Sequence, residues 1–174
     1  TTLFRSMFTH SGKKLLFMGQ EFGQDHEWNE AKELDWSLLS DDLHSSMKYY
    51  VSKLLEIYNK YPCLHEIDND WAGFEWINAD DKENSVYSYM RKASNGKNNL
   101  LVVLNMTPME RKDYVVGVPK KKKYKLILNS DEKCFGGTGA KMPGEISAKA
   151  VEADGKPYSL TMDLPPYGAM IFQF

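Results

Sequence analysis

Apolar positions in this chain follow two different rhythms, and the change between them falls near Glu66–Asp70. Before that point, Thr2–His10 carries Leu3, Phe4, Met7 and Phe8 at helical spacing, and Ser11–Gly12 supplies a stop. Leu15–Met18 is a continuous apolar run closed by Gly19, the pattern of a strand buried on both faces. Asp41 and Asp42 are suited to cap a helix over Leu43–Tyr61, whose stripe is Met47, Tyr50, Val51, Leu54, Leu55 and Tyr58, and Pro62 ends it. Helix, strand, long loop and helix make an α/β unit with a parallel strand at its centre.

After Asp68 the runs become short, alternating or wholly apolar, and are separated by turns. They are Phe74–Ile77, Ser85–Arg91, Leu100–Asn105, Tyr114–Val118, Tyr124–Leu128, Tyr158–Leu164 and Ala169–Phe174. That density of strands predicts an antiparallel sandwich. Loops rich in Gly, Asn, Asp and Lys fill Asp80–Asn84, Ser94–Asn99, Pro119–Lys123, Phe135–Gly144 and Asp154–Pro157. The domain division expected is therefore 1–67 and 68–174. A strand that near the first residue, with no partner before it, reads as the tail of a longer protein.

Composition narrows the partners. With 22 basic and 24 acidic residues the formal charge is −2, so neither a nucleic acid nor an anionic membrane is favoured. No apolar run is long enough to span a bilayer. The two cysteines, Cys63 and Cys134, lie far apart and outside any CxxC pair, which indicates free thiols in a reducing compartment. A cytoplasmic location is expected.

Specific motifs then carry a resemblance. Gly12–Gln24 (GKKLLFMGQEFGQ), Glu27–Trp28, Leu34–Trp36 (LDW), Gly73–Ile77 (GFEWI), Ser88–Lys92 (SYMRK) and Leu164–Phe172 (LPPYGAMIF) occur in this order. Together they resemble the bacterial-type 1,4-alpha-glucan branching enzymes of the alpha-amylase superfamily, glycoside hydrolase family 13. The EW and LDW pairs are what favour branching enzymes over related hydrolases or debranching enzymes. The resemblance implies that Leu15–Met18 is the eighth strand of a (β/α)8 barrel, that Met47–Tyr61 lies in its last helix, and that the later strands form the C-terminal β-sandwich. It also implies an α-glucan partner, glycogen or amylose-like chains, and no metal or organic cofactor.

Active sites in such barrels lie at the C-terminal ends of the strands, where the QEFGQDHEW loop begins. Phe22, Trp28 and Trp36 offer apolar faces for a glucose ring, and Glu21, Gln20, Gln24 and Asp25 offer hydrogen bonds to hydroxyls. Glu21, Phe22, Trp28 and Trp36 are the candidate substrate-binding residues, and the competing reading is that the aromatics pack the loop while Glu21 is a structural acceptor. Retaining glycosyl transfer requires two carboxyl groups about 5 Å apart. In the family these come from strands four, five and seven, all before Thr1. No catalytic residue is therefore assigned here, Glu21, Glu27 and Asp35 notwithstanding, and the chain alone is expected to be inactive. The other expectation is a non-catalytic glucan-binding or domain-stabilising module.

Weaker patterns add little. Lys120–Lys123 reads as a solvated hairpin end, and Phe135–Lys141 (FGGTGAK) fails the phosphate-loop spacing and reads as a flexible loop. His10, His26, His44 and His65 share no ligand spacing, so no metal site is expected. Trp71, Phe74 and Trp76 gather where the second rhythm begins. They form either a sugar platform or a seam between domains, and period-two spacing of Phe74 and Trp76 favours the seam. A lone eighth strand would leave Leu15–Met18 with unpaired edges through which the chain self-associates.

Overall fold

The structure is a computed structural model that describes residues 2–174, apart from the side chains of Thr2, Leu3 and Arg5. Leu3 of the first expected stripe thus lies outside the described side chains. Two helices, α1 (Thr2–Thr9) and α2 (Asp42–Lys60), precede eight strands. These are β1 (Phe74–Asp81), β2 (Val86–Arg91), β3 (Leu100–Asn105), β4 (Arg111–Val118), β5 (Lys123–Asn129), β6 (Glu145–Ser147), β7 (Tyr158–Leu164) and β8 (Ala169–Gln173).

All strand pairs are antiparallel. One sheet has the order β1-β2-β3-β8-β5-β6, and β4 and β7 pair as a second sheet. Strand β3 explains the layering. Its six residues are all buried, and they divide by alternation: Leu100, Val102 and Leu104 enter one apolar cluster, Leu101 and Val103 the other. β8 divides in the same way, with Ala169 and Ile171 on one side and Met170 and Phe172 on the other. The second cluster is completed by Val116, Val118, Leu160, Met162 and Leu164 of the small sheet, which makes a sandwich. The first is completed by Phe8 of α1 and by Tyr50, Val51 and Leu54 of α2.

Helix α2 begins where its cap chemistry directs. The Asp41 carboxylate accepts from the backbone N–H groups of Leu43 and His44 at 2.8 and 3.3 Å, and Pro62 follows one residue after the C-cap Tyr61. Of the expected stripe, Tyr50, Val51 and Leu54 are buried and Leu55 is exposed, because the sheet covers a narrower arc than the apolar positions span.

Four expectations are corrected. Leu15–Met18 forms no strand: residues 13–17 have no regular structure, and Met18–Gly19 make a turn. A strand exists through hydrogen bonds to its neighbours, and none of the described strands pairs with this segment. It consequently offers no unpaired ladder. What it offers instead is two exposed apolar side chains, Leu15 and Phe17. Strand β6 falls just beyond the Phe135–Gly144 loop and was not legible in the pattern, since three residues, Glu145, Ile146 and Ser147, show no period of their own. Lys120–Lys123 is not a hairpin end, because β4 and β5 belong to different sheets and Lys123 already opens β5, although its lysines are exposed. Finally, the FGGTGAK loop is not free. The Asp131 carboxylate accepts from Thr138 N, Thr138 Oγ1 and Ala140 N at 3.0, 2.6 and 3.0 Å, and Gly137 sits so close to Asp131 O that a Cβ would lie 2.3 Å from it.

Candidate functional site

The QEFGQDHEW loop is built around one tight turn. Gln20–Phe22 form a single 3₁₀ turn flanked by Gly19 and Gly23, both left-handed at φ +88° and +71°. Glycine is required at Gly19 for this φ and for space, since a Cβ there would lie 3.0 Å from Gln24 Cβ. Backbone bonds from Phe22 and Gln24 to Gly19 O, at 3.2 and 3.1 Å, close the turn. His44 Nδ1, on α2, donates to Phe22 O at 2.8 Å and joins the turn to the helix.

Gln24 is the clasp for the rest of the loop. Its Oε1 accepts from Asp35 N at 3.0 Å, and its Nε2 donates to His26 O at 3.4 Å, so one amide side chain holds both ends of an eleven-residue excursion. Asp35 in turn accepts from Ser37 N at 3.2 Å and Ser37 Oγ at 2.5 Å, which starts the 3₁₀ turn Trp36–Ser40. The carboxylate is thereby committed to local structure. A cavity of about 280 Å³ inside the loop is lined by Gln24, His26, Glu27, Lys32 and Asp35 among others. Asp25 lies 2.5 Å from His26 Nδ1, and that hydrogen bond holds its carboxyl below the ordinary value.

Of the four candidate residues, Glu21, Phe22 and Trp36 lie together, while Trp28 packs on Phe17. Phe22 is fully buried, its ring 5.2 Å from that of Trp36, so it faces protein rather than solvent. Glu21 is half-buried beside it. Trp36 is 48% exposed, with Phe22 beside it and Lys48 Nζ 5.7 Å from its ring centroid. Trp28 is equally exposed and meets Phe17 edge-on at 5.4 Å. Each tryptophan therefore has surface left for another ring. The sequence held no sign of the clasp role of Gln24, because it depends on where Asp35 N arrives. Among the described residues no three His, Cys, Asp or Glu side chains are grouped to hold a metal ion. No helix of the described residues is long and apolar enough to cross a membrane.

The aromatics at the start of β1 are split. Phe74 is buried against Tyr89, whereas Trp76 and Trp71 are 40% and 83% exposed.

Comparison with known proteins agrees with this architecture. Residues 76–174 match the model of the alpha amylase C-terminal all-beta domain. A 1,4-alpha-glucan branching enzyme of Butyrivibrio fibrisolvens is 63% identical over 97% of this chain and 26% of its own length. Enzymes of the same name from Cereibacter sphaeroides and Geobacillus stearothermophilus are 48% and 42% identical, over 94% and 98% of this chain and 22% and 27% of their own lengths. A solved trehalulose synthase mutant in complex with Tris superimposes with a TM-score of 0.48 at 13% identity, covering 81% of this chain and 21% of that one, which bears no weight. The chain spans about a quarter of the length of these curated relatives. With more than half its residues matched by the family model and all eight strands antiparallel, the chain belongs to the family of alpha amylase C-terminal all-beta domains.

Proposed function

We propose that this chain is the C-terminal part of a 1,4-alpha-glucan branching enzyme. The carrying observation is the 63% identity to such an enzyme across 97% of the chain. The whole enzyme cuts an α-1,4 linkage through a covalent glucosyl intermediate and passes the cut chain to a 6-hydroxyl of an acceptor glucan. Two displacements retain the configuration, and neither needs a metal or organic cofactor. The carboxyl groups for those steps come from other parts of the polypeptide, so the chain alone is inactive. Its two free thiols suit a cytoplasmic site for this chemistry.

In this reading residues 1–67 complete the (β/α)8 barrel and residues 68–174 are the sandwich. Leu15–Met18 takes strand form once neighbouring strands offer partners, which would cover the exposed Leu15 and Phe17. Glu21, Trp28 and Trp36 border the glucan cleft, and Phe22 supports them from beneath. Half-exposed indole rings beside hydrogen-bonding groups are the combination that a glucose ring requires.

The test is made on the longer polypeptide. An antibody raised against this chain is expected to detect a native species about four times its 20.0 kDa, as the share of the relatives' length implies. That species is expected to form α-1,6 branches, with kcat/KM lowered about tenfold by Trp28→Ala or Trp36→Ala through loss of ring stacking. A native species of 20.0 kDa, or one that only hydrolyses α-glucan, would overturn the proposal.

A further inference from the structure

Among the asparagines of this chain only Asn95 is followed by glycine, and among the aspartates only Asp154. Such pairs are reactive for a steric reason. With no Cβ on the second residue, its backbone nitrogen can reach the side-chain carbonyl carbon of the first and close a five-membered ring. Tertiary structure then separates the two pairs. The Asp154 carboxylate is held through both oxygens, Oδ1 accepting from Asn78 Nδ2 at 2.9 Å and Oδ2 from Gly117 N at 2.8 Å. Swinging its carbon toward Gly155 N breaks two tertiary hydrogen bonds and leaves their donors unpaired.

Asn95 has no comparable restraint. It lies with Ser94 in the turn that joins β2 to β3, and residues 94–98 are all exposed. Among the described residues its side chain makes one hydrogen bond, Oδ1 accepting from Lys97 N at 2.8 Å, two positions along the chain. Gly96 is left-handed at φ +67°, and a Cβ built there would meet nothing within 4 Å, so no neighbour blocks the rotation that ring closure needs. Gly96 N donates to Ala93 O at 2.9 Å, and this is the backbone bond that must open before the nitrogen can attack. Exposed turns open at the low end of the free-energy range of native openings. The ends of the turn, by contrast, are pinned. Asn99 Oδ1 accepts from Ala93 N at 2.9 Å, and Glu66 Oε1 accepts from Ser94 N at 2.7 Å. The hairpin therefore survives a change confined to Asn95 and Gly96.

We propose that Asn95 is a self-modifying site at which the folded chain deamidates. Solvent base takes the Gly96 amide proton and the nitrogen attacks Asn95 Cγ. The new C–N bond replaces the Cγ–Nδ2 bond, so ammonia leaves and a succinimide ring remains. Water then opens the ring at either carbonyl, giving aspartate or isoaspartate. The sum is amide plus water to carboxylate plus ammonium, with no oxidant or reductant. Each product sets a negative charge beside Ser94, whose backbone N–H binds the Glu66 carboxylate, and repulsion weakens that tie between the connecting segment and the hairpin. Isoaspartate also lengthens the backbone of the turn by one methylene.

The test is incubation of the 174-residue chain in mildly alkaline buffer. Peptide mapping by mass spectrometry reads the gain of one dalton at each deamidated residue, and labelling with an isoaspartyl methyltransferase reads isoaspartate. Asn95 is expected to react at least about tenfold faster than any other asparagine, and Asp154 to isomerise in urea but not in the folded chain. Asn95→Gln is expected to abolish the early acidic species seen on ion exchange, and Gly96→Ala to slow its appearance about tenfold. Both positions are exposed, and a thermal melt of each variant verifies the fold. An Asn95 that stays intact in the folded chain while reacting in urea would mean that the bond to Ala93 guards it, and the proposal would fail. Faster reaction at any other asparagine, or isomerisation of Asp154 in the folded chain as fast as deamidation of Asn95, would overturn it too. None of these readouts depends on branching activity, so the outcome is independent of the function proposed above.

Discussion

The Arg91 guanidinium, completely buried, donates to Asp68 Oδ1 at 3.1 Å across 23 residues of sequence. The same side chain donates to Thr9 O at 3.1 Å and Gly73 O at 3.2 Å. One residue of β2 thus fastens the end of α1, the connecting segment and the turn beneath Trp71. A cation can sit there because each of its three nitrogens meets an acceptor.

Removing one partner of this pair strands the other in a dry site. Arg91→Met is expected to lower unfolding free energy by about 3–5 kcal/mol, and adding Asp68→Leu to recover part of the loss. Urea unfolding of the singles and the double measures both. A loss under about 1 kcal/mol would mean that the pair is wetter than its burial indicates.

The two thiols are expected to react very differently. Burial pushes the Cys63 thiol up to about 12, and the side chain is fully enclosed. Cys134 is exposed, with its thiol raised by partial burial and by the neighbouring Glu132. Titration with a disulfide reagent under native conditions is expected to count one thiol and, in denaturant, two.

Glu75 links two lysines, accepting from Lys156 Nζ at 2.5 Å and Lys92 Nζ at 3.1 Å. Desolvation acts to raise its carboxyl, but the hydrogen bonds from the two lysines prevail and hold it below the ordinary 4.5. A folded-state value below the unfolded one contributes stability above pH 4.5 that is lost as the pH falls through the folded value. The stability advantage of the wild-type chain over Glu75→Gln is therefore expected to shrink between about pH 6 and about pH 3. An advantage that grows on acidification would reverse the sign of this assignment.

Leu15 is 72% and Phe17 43% exposed on one short irregular segment. In the chain by itself these side chains are expected to drive weak, concentration-dependent association that Leu15→Ser with Phe17→Ser abolishes. Sedimentation velocity over a range of concentrations reads this directly. A monomer at all concentrations would show that the segment is covered within the chain.

Local chemistry was legible in the order of residues. Leu100–Asn105 and Tyr158–Leu164 are strands over the very residues their apolar runs mark, and Asp41 caps α2 where a carboxylate before an apolar stripe should. Period and capping act within a few residues, so the chain carries them wherever it folds. The KLLFMG run likewise marked where the QEFGQDHEW loop begins, and its flanking glycines are needed for a turn that is local. Tertiary structure decided the rest. Leu15–Met18 has a strand's composition without a strand's partners, and Glu145–Ser147 becomes a strand because Lys123–Lys125 lies beside it. Phe22 and Trp36 are both aromatic, yet one is enclosed and the other half open, since burial depends on what the rest of the chain lays over each ring. The same holds for Trp71, exposed on a turn clamped by Arg91. Hydrogen-bonding partners and covering atoms arrive from distant positions, and no pattern along the chain states which positions those are.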